Sequence, residues 1–228
     1  MTAPRPSKID VLRRIREHLD IKNVIDVGVN FGTPELISAF PKAKHYLFEP
    51  MEHFRDPIAS KYQSLEHELF CVALSDRDYD AWLVEKNVAG GNSATHSQIL
   101  EKPVDVDGKN IIKCSPMEIR RFDSLSITVD PNFLLKIDVD GKDLEVLLGF
   151  GEHLKRASVI IIEATFATLG ARLRSCQEAG FQLWDIVDLV YYGPALYQCD
   201  LIFVRNPLAV RMRPPISNFD KGLWEPFR

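Results

Sequence analysis

Two groups of residues in this sequence have the types and spacing to do chemistry. The first is D-V-G-V-N-F-G, Asp26 to Gly32, answered by Glu49 in F-E-P, 23 residues after Asp26. Glycines that end an apolar run let the backbone come close to a ligand, and an acid at the end of the next strand is placed to meet a ribose hydroxyl. The second group is K-I-D-V-D-G, Lys136 to Gly141, followed by S-V-I-I-I-E, Ser158 to Glu163. Strand alternation points Asp138 and Asp140 the same way, and Glu163 ends the following strand. Carboxylates gathered near one point suit a general base or a divalent ion. His96 is a third candidate base, because imidazole titrates near neutrality. Plainer readings stand beside these: an ordinary strand-turn-helix corner, helix capping by Asp140 with a buried hydrogen bond for Glu163, and a surface histidine.

The elements that must position these groups follow from periodicity. Val24 to Val27 is an apolar strand stopped by Gly28. Thr33 caps a helix with Pro34 at its first position and Leu36, Ile37 and Phe40 on its buried face. His45 to Phe48 is the next strand. A weak helix around Phe54 to Tyr62 and a strand from Glu68 to Val72 lead into A-L-S-D, Ala73 to Asp76. An extra strand is expected over Ala81 to Lys86. Residues 87–116 lack a clear period and contain Gly90 and Gly91, so they read as a substrate loop, with Asn87 to Ser97 a mobile lid over the site. Met117 to Phe122 returns as a short strand. Phe133 to Ile137 is a strand followed by a helix with Leu144, Leu147 and Leu148 on one face. A helix from Leu169 to Ala179 ends at Gly180, and Gln182 to Leu189 and Leu201 to Arg205 form a closing pair around Val190 to Pro194 and Tyr197.

Composition narrows the function. At 228 residues and 46% apolar, the chain suits one sizeable α/β domain. The parts are an N-terminal helix within 1–22, a body over 23–205, and a tail over 206–228. Ser7 caps the first helix, Lys8 to about Leu19, with Ile9, Leu12, Ile15 and Leu19 as its stripe. The net charge is −4 and no basic run exceeds a pair, so nucleic acid is not an expected partner. Cys71, Cys114, Cys176 and Cys199 are scattered without a C-x-x-C, which indicates neither a zinc site nor disulfides, and a reducing cytoplasm is expected. No apolar run approaches a membrane span, and the N-terminus lacks the core of a signal peptide. The tail is rich in proline, and Phe219, Trp224 and Phe227 are expected to pack on the body or on a second subunit.

The dinucleotide fingerprint has a third glycine, and here Asn30 and Phe31 inside the turn would crowd a diphosphate. The pattern suits a cofactor without phosphates. D-x-G-x-N-x-G followed by strand-end E-P resembles the cofactor site of class I S-adenosylmethionine-dependent methyltransferases. D-V-G-V-N-F-G, F-E-P, A-L-S-D, F-D-S-L, K-I-D-V-D-G-K-D-L-E-V-L-L-G and D-L-I-F-V-R, in that order from Val24 to Arg205, are together similar to the FkbM family of such enzymes.

The resemblance implies a Rossmann-like domain: a mostly parallel seven-stranded sheet, helices on both faces and a C-terminal antiparallel hairpin. It implies S-adenosylmethionine bound by Asp26, Gly28, Asn30, Gly32, Glu49, Pro50 and Met51, with Ala73, Leu74, Ser75 and Asp76 at the adenine. Asp138, Asp140 and His96 are then the catalytic candidates for methylating a hydroxyl of a sugar, glycan or natural product. The sequence departs from the family at Asp140, where Glu or Gln is usual. A nicotinamide-dependent oxidoreductase and a ligand-binding relative without catalysis are the alternatives.

Overall fold

The computed structural model of the protein describes residues 7–87, 96–106 and 110–213. Ser7 opens α1 (Lys8–His18) with a capping box: its hydroxyl accepts from the Asp10 N–H while the Asp10 carboxylate accepts from the Ser7 N–H. Val11, Leu12 and Ile15 are its buried stripe, packed on α2 (Pro34–Ala39) and on one face of a sheet.

That sheet has seven strands: β1 (Asn23–Val27), β2 (Lys44–Phe48), β3 (His67–Phe70), β8 (Phe133–Ile137), β9 (Ala157–Thr165), β10 (Phe181–Tyr192) and β11 (Ala195–Arg205). Their order across the sheet is β3, β2, β1, β8, β9, β11, β10. Neighbours from β3 to β9 are parallel, whereas β11 runs antiparallel to both β9 and β10. Every residue of β1 and β8 is buried, which explains why these strands read as near-continuous apolar runs. The chain leaves β1 first toward β2 and later returns beside it as β8, so the strand order reverses at β1. A crevice opens at such a point, outside the carboxyl ends of the strands. The expected architecture is therefore the observed one.

The opposite face of the sheet is covered by α4 (Asp143–Gly149) and α5 (Leu169–Glu178). The face of α4 differs from the periodicity reading: Val146 and Leu147 are buried, while Leu148 is 65% exposed. Gly149 explains the turn of that face. A β-carbon there would lie 2.0 Å from the Ser75 carbonyl oxygen, so the helix meets the neighbouring chain backbone to backbone.

Sequence periodicity misreads the insertion between β3 and β8. The third strand ends at Phe70, and Ala73–Leu74 leaves it as β4, which joins a second sheet with β5 (Tyr79–Lys86), β6 (His96–Leu100) and β7 (Ile111–Arg120), in the order β4, β7, β5, β6. Residues 96–100 and 111–116, read as part of a loop, are strands. Neither has a strong pattern of its own, and both are fixed by pairing with β5, whose Trp82 lies opposite Leu100 on one side and Pro116 on the other. Residues 88–95, most of the expected lid, lie outside the described residues.

The C-terminal hairpin is longer than its two apolar cores. It continues to Tyr192 and resumes at Ala195, leaving Gly193 and Pro194 as the turn. A helix not anticipated from sequence, α6 (Asn206–Met212), follows with Pro207 in its first turn. Phe219, Trp224 and Phe227 lie outside the described residues.

The backbone contact at Gly149 makes a direct prediction. Gly149→Ala should destabilise the protein by about 1–3 kcal/mol, because a methyl group there displaces main chain. Chemical denaturation would register this as a lower midpoint, and an unchanged midpoint would show that α4 does not press on the chain at Ser75.

Candidate active site

Gly28 is where three strands meet. It has φ +82°, which favours glycine, and a β-carbon would lie 1.9 Å from the Asp138 carbonyl oxygen at the end of β8. Its N–H donates to the Phe48 carbonyl at the end of β2 (3.0 Å). Two residues on, Asn30 also has positive φ (52°), a conformation that Asn tolerates. This aims the Asn30 N–H at Glu49 Oε2 (2.8 Å), while Glu49 Oε1 accepts from the Met51 N–H (3.0 Å). The Glu49 carboxylate is thus buried and held from both sides. Burial pushes its pKa up, against the pull of these two amides.

Beneath the turn lies a charge network. Lys136, the last residue but one of β8, is buried, with its ammonium 3.3 Å from Asp26 Oδ1 and 3.1 Å from Asp138 Oδ2. It also donates to the Gly28 carbonyl at 3.4 Å. Burial acts to lower the Lys136 pKa, but Asp26 and Asp138 outweigh it and hold the group raised. Asp26 accepts on its other oxygen from the Thr33 hydroxyl (2.6 Å). Thr33 therefore stands at the start of α2 without capping it, and its own N–H donates to the Tyr62 hydroxyl (3.2 Å). At the far end of the turn after β8, Asp143 accepts from the Val139 N–H and forms a buried ion pair with Arg172 of α5. Burial raises the Asp143 pKa, with Arg172 opposing.

A cleft of about 390 Å³ opens above this network, a size suited to a small ligand or cofactor. Its floor is the carboxyl ends of β1, β2 and β8. Gly28, Asn30, Glu49, Pro50, Met51, Ala73, Leu74, Asp138 and Asp140, all named from sequence, line it. Asp26 lies under the floor, fully buried, and Gly32, Ser75 and Asp76 are outside the lining. Ser75 turns away because its N–H pairs with the Arg120 carbonyl, and the Asp76 carbonyl is taken by Arg121. Phe31 points outward, 59% exposed, with its ring edge to face with Phe54. The main chain of His96 begins β6, and its side chain lies outside the described residues.

Sequence reading places residues 87–116 over the site but does not anticipate that the opposite wall is built from strands. Leu83 of β5 and Ser97, Gln98 and Ile99 of β6 close the cleft from the second sheet, and the Ser97 N–H lies 3.5 Å from Asp140 Oδ2. It also misses Lys136, although a lysine inside an otherwise apolar strand is a detectable sign of a buried ion pair. Glu163, expected at a strand end, lies within β9, which runs on to Thr165 because β11 pairs with it there; it stands beside Asp138 and accepts a hydrogen bond from the Gln198 amide. Burial first, then the charges of Asp138, Asp200, Asp143 and Asp140, push its pKa up to about 7.

Among the described residues, no group of three or more His, Cys, Asp or Glu side chains is arranged to hold a metal ion. No helix among them is long and apolar enough to cross a membrane. A larger groove of about 580 Å³ lies at the opposite end of the sheet, between the end of α1 and the segment before β2. It has no buried carboxylate and no converging backbone donors, so the chemistry favours the smaller cleft.

The model of the methyltransferase FkbM domain matches residues 26–183, more than half of the chain. No curated protein matches the sequence. Among solved structures, an rRNA methylase from Streptococcus thermophilus superposes with a TM-score of 0.51 at 12% identity, covering 89% of this chain and 99% of its own. A precorrin-6y C5,15-methyltransferase from Geobacter metallireducens GS-15 gives 0.47 at 13%, with 90% and 94% covered. The N-methyltransferase NodS from Bradyrhizobium japonicum WM9 gives 0.47 at 8%, with 87% and 93% covered.

The buried network predicts the cost of its central cation. Lys136→Met should destabilise the protein by about 3–5 kcal/mol, since Asp26 would be left buried without a counter-charge. Adding Asp26→Asn should recover part of that loss. Urea denaturation of the single and double variants checks this, and additive losses would show that the two groups are not coupled.

Proposed function

Since the chain belongs to the FkbM methyltransferase family, we propose that its cleft binds S-adenosylmethionine and that the protein methylates a hydroxyl of a sugar, glycan or natural product. The observation that carries the donor reading is Glu49. A buried carboxylate fixed by two backbone amides at the end of β2 keeps lone pairs for hydroxyl donors, and a ribose offers two adjacent ones. Met51, Leu74, Leu83 and Ile99 provide an apolar wall for a flat base nearby. The residues present therefore fit the cofactor. When bound, it supplies a methyl group made electrophilic by a sulfonium.

A dinucleotide fits less well. Its pyrophosphate would need the free amides of the helix after the turn. Here α2 has only six residues, and the Thr33 N–H at its start is held by Tyr62.

The acceptor reading rests on the other end of the cleft. Asp138 and Asp140 present carboxylates, which accept hydrogen bonds from hydroxyls and repel phosphates. Together with a net charge of −4, this favours a neutral hydroxyl compound over nucleic acid. The work of the chain is then to hold the hydroxyl in line with the methyl group, to exclude water through the wall formed by β5 and β6, and to remove one proton.

Thermal-shift and calorimetric measurements test the donor reading. S-adenosylhomocysteine should stabilise the protein and NAD should not. Glu49→Ala should weaken S-adenosylhomocysteine binding by roughly tenfold or more, because the ribose hydroxyls lose their acceptor at a cost of about 1–3 kcal/mol. Unchanged affinity in a folded Glu49→Ala protein would remove Glu49 from the donor site. Product formation from a panel of sugar and natural-product hydroxyls separates an enzyme from a relative that only binds.

A further inference from the structure

Asp138, which follows β8 and lines the cleft, stands beside Glu163, which lies within β9 two residues before its end and just outside that lining. Ile137 of β8 and Ile162 of β9 are register partners, so the next residues along, Asp138 and Glu163, are neighbours on adjacent strands, whose spacing is about 5 Å. Asp200 of β11 lies directly opposite Glu163 on its other side. The three side chains share the face that carries Lys136.

Among the described residues, the cations of this region are engaged by carboxylates other than Glu163. Lys136 is bound by Asp26 and Asp138, Lys8 of α1 by Asp188 and Asp200, each at 2.6 Å, and Arg172 of α5 by Asp143. Glu163 faces Asp138 from β8, Asp140 and Asp143 from the turn and start of α4, and Asp200 from β11. Among the described residues it has no ion pair. Its one partner is the Gln198 amide on Oε1, which leaves Oε2 open.

These neighbours give the two carboxylates different chemistry. Asp138 is held in an ion pair with Lys136. At Glu163 a proton relieves repulsion from four carboxylates. The push of its pKa up to about 7 agrees with this, and a base is most effective when it titrates near the working pH.

Building on the methyltransferase reading, we infer that Glu163 is the base that takes the acceptor's proton, while Asp138, tied to Lys136, orients the hydroxyl. The hydroxyl oxygen forms its bond to the methyl carbon as the methyl–sulfur bond breaks and its electron pair returns to sulfur. The hydroxyl proton passes to Glu163 Oε2 and from there to water, which restores the carboxylate.

Protein labelled with ¹³C at the glutamate carboxyl provides the first test, with the Glu163 resonance identified by its loss in Glu163→Gln. A titration midpoint near 7 is expected, and a midpoint in the ordinary carboxylate range overturns the assignment. Turnover of the hydroxyl compound found in the acceptor panel is the second readout. In the wild type, kcat should rise with pH through that same midpoint. Glu163→Gln should lose about 10²-fold or more in kcat together with the pH-dependent limb, with donor KM changed by less than about threefold. A variant that keeps wild-type kcat and the same limb overturns the proposal. S-adenosylhomocysteine binding to both proteins separates the two failures: tight binding alongside normal turnover of Glu163→Gln rejects only the base, whereas no binding to the wild type rejects the methyltransferase reading and this proposal with it.

Discussion

The buried ammonium of Lys136 is the constraint on which the site depends. A lysine buried in a central parallel strand costs several kcal/mol unless its charge is matched and its protons are accepted. Asp26 on one side, Asp138 above and the Gly28 carbonyl meet that demand. Because the three partners belong to β1, to its following turn and to the end of β8, satisfying one side chain also sets where the two strands end relative to each other. The two carboxylates then differ sharply in access. Asp26 is fully buried and Asp138 is 42% exposed at its side chain, so the network hides one charge and presents the other to the cleft.

Further out, the same principle recurs with different strands. Lys8 at the start of α1 is held between Asp188 and Asp200, which ties the first helix to the C-terminal hairpin. Its pKa is lowered by burial and raised more by Asp200 and Asp188, with a net rise. Asp143 and Arg172 join α4 to α5 under the turn that carries Asp138 and Asp140. The Lys8–Asp200 and Asp143–Arg172 pairs are buried, and each joins two elements distant in sequence. Glu163 stands apart from these pairs.

The insertion supplies what the seven-stranded sheet lacks. The sheet ends provide a floor with glycines, Glu49 and Asp138, but a floor alone leaves a ligand open to water. The second sheet closes the cleft through Leu83 and the Ser97 to Ile99 segment, with the Ser97 N–H approaching Asp140. In this way one cleft is bounded by strands far apart in the chain.

The sequence by itself determined the elements whose signals are local. Buried parallel strands read as apolar runs, so β1, β2, β8 and β9 were legible, with Glu49 directly after β2, and Gly28 and Gly32 marked the turn. Motif order was enough for the family, and with it the sheet. Tertiary structure decided what depends on partners distant in sequence. The strand β6 and the first part of β7 exist because β5 pairs with both, which no pattern within 96–100 or 111–116 displays. Thr33 has the signature of a cap, yet its hydroxyl goes to Asp26 because β1 places that buried acceptor within reach. Asp76 ends a motif but turns out of the cleft, since β4 follows β7 into the second sheet. Lys136 was visible as a letter in an apolar strand. Only the packing of β1 against β8 puts Asp26 and Asp138 on either side of its charge, because a side chain's electrostatic partners are set by strand register, which a single strand's sequence does not contain.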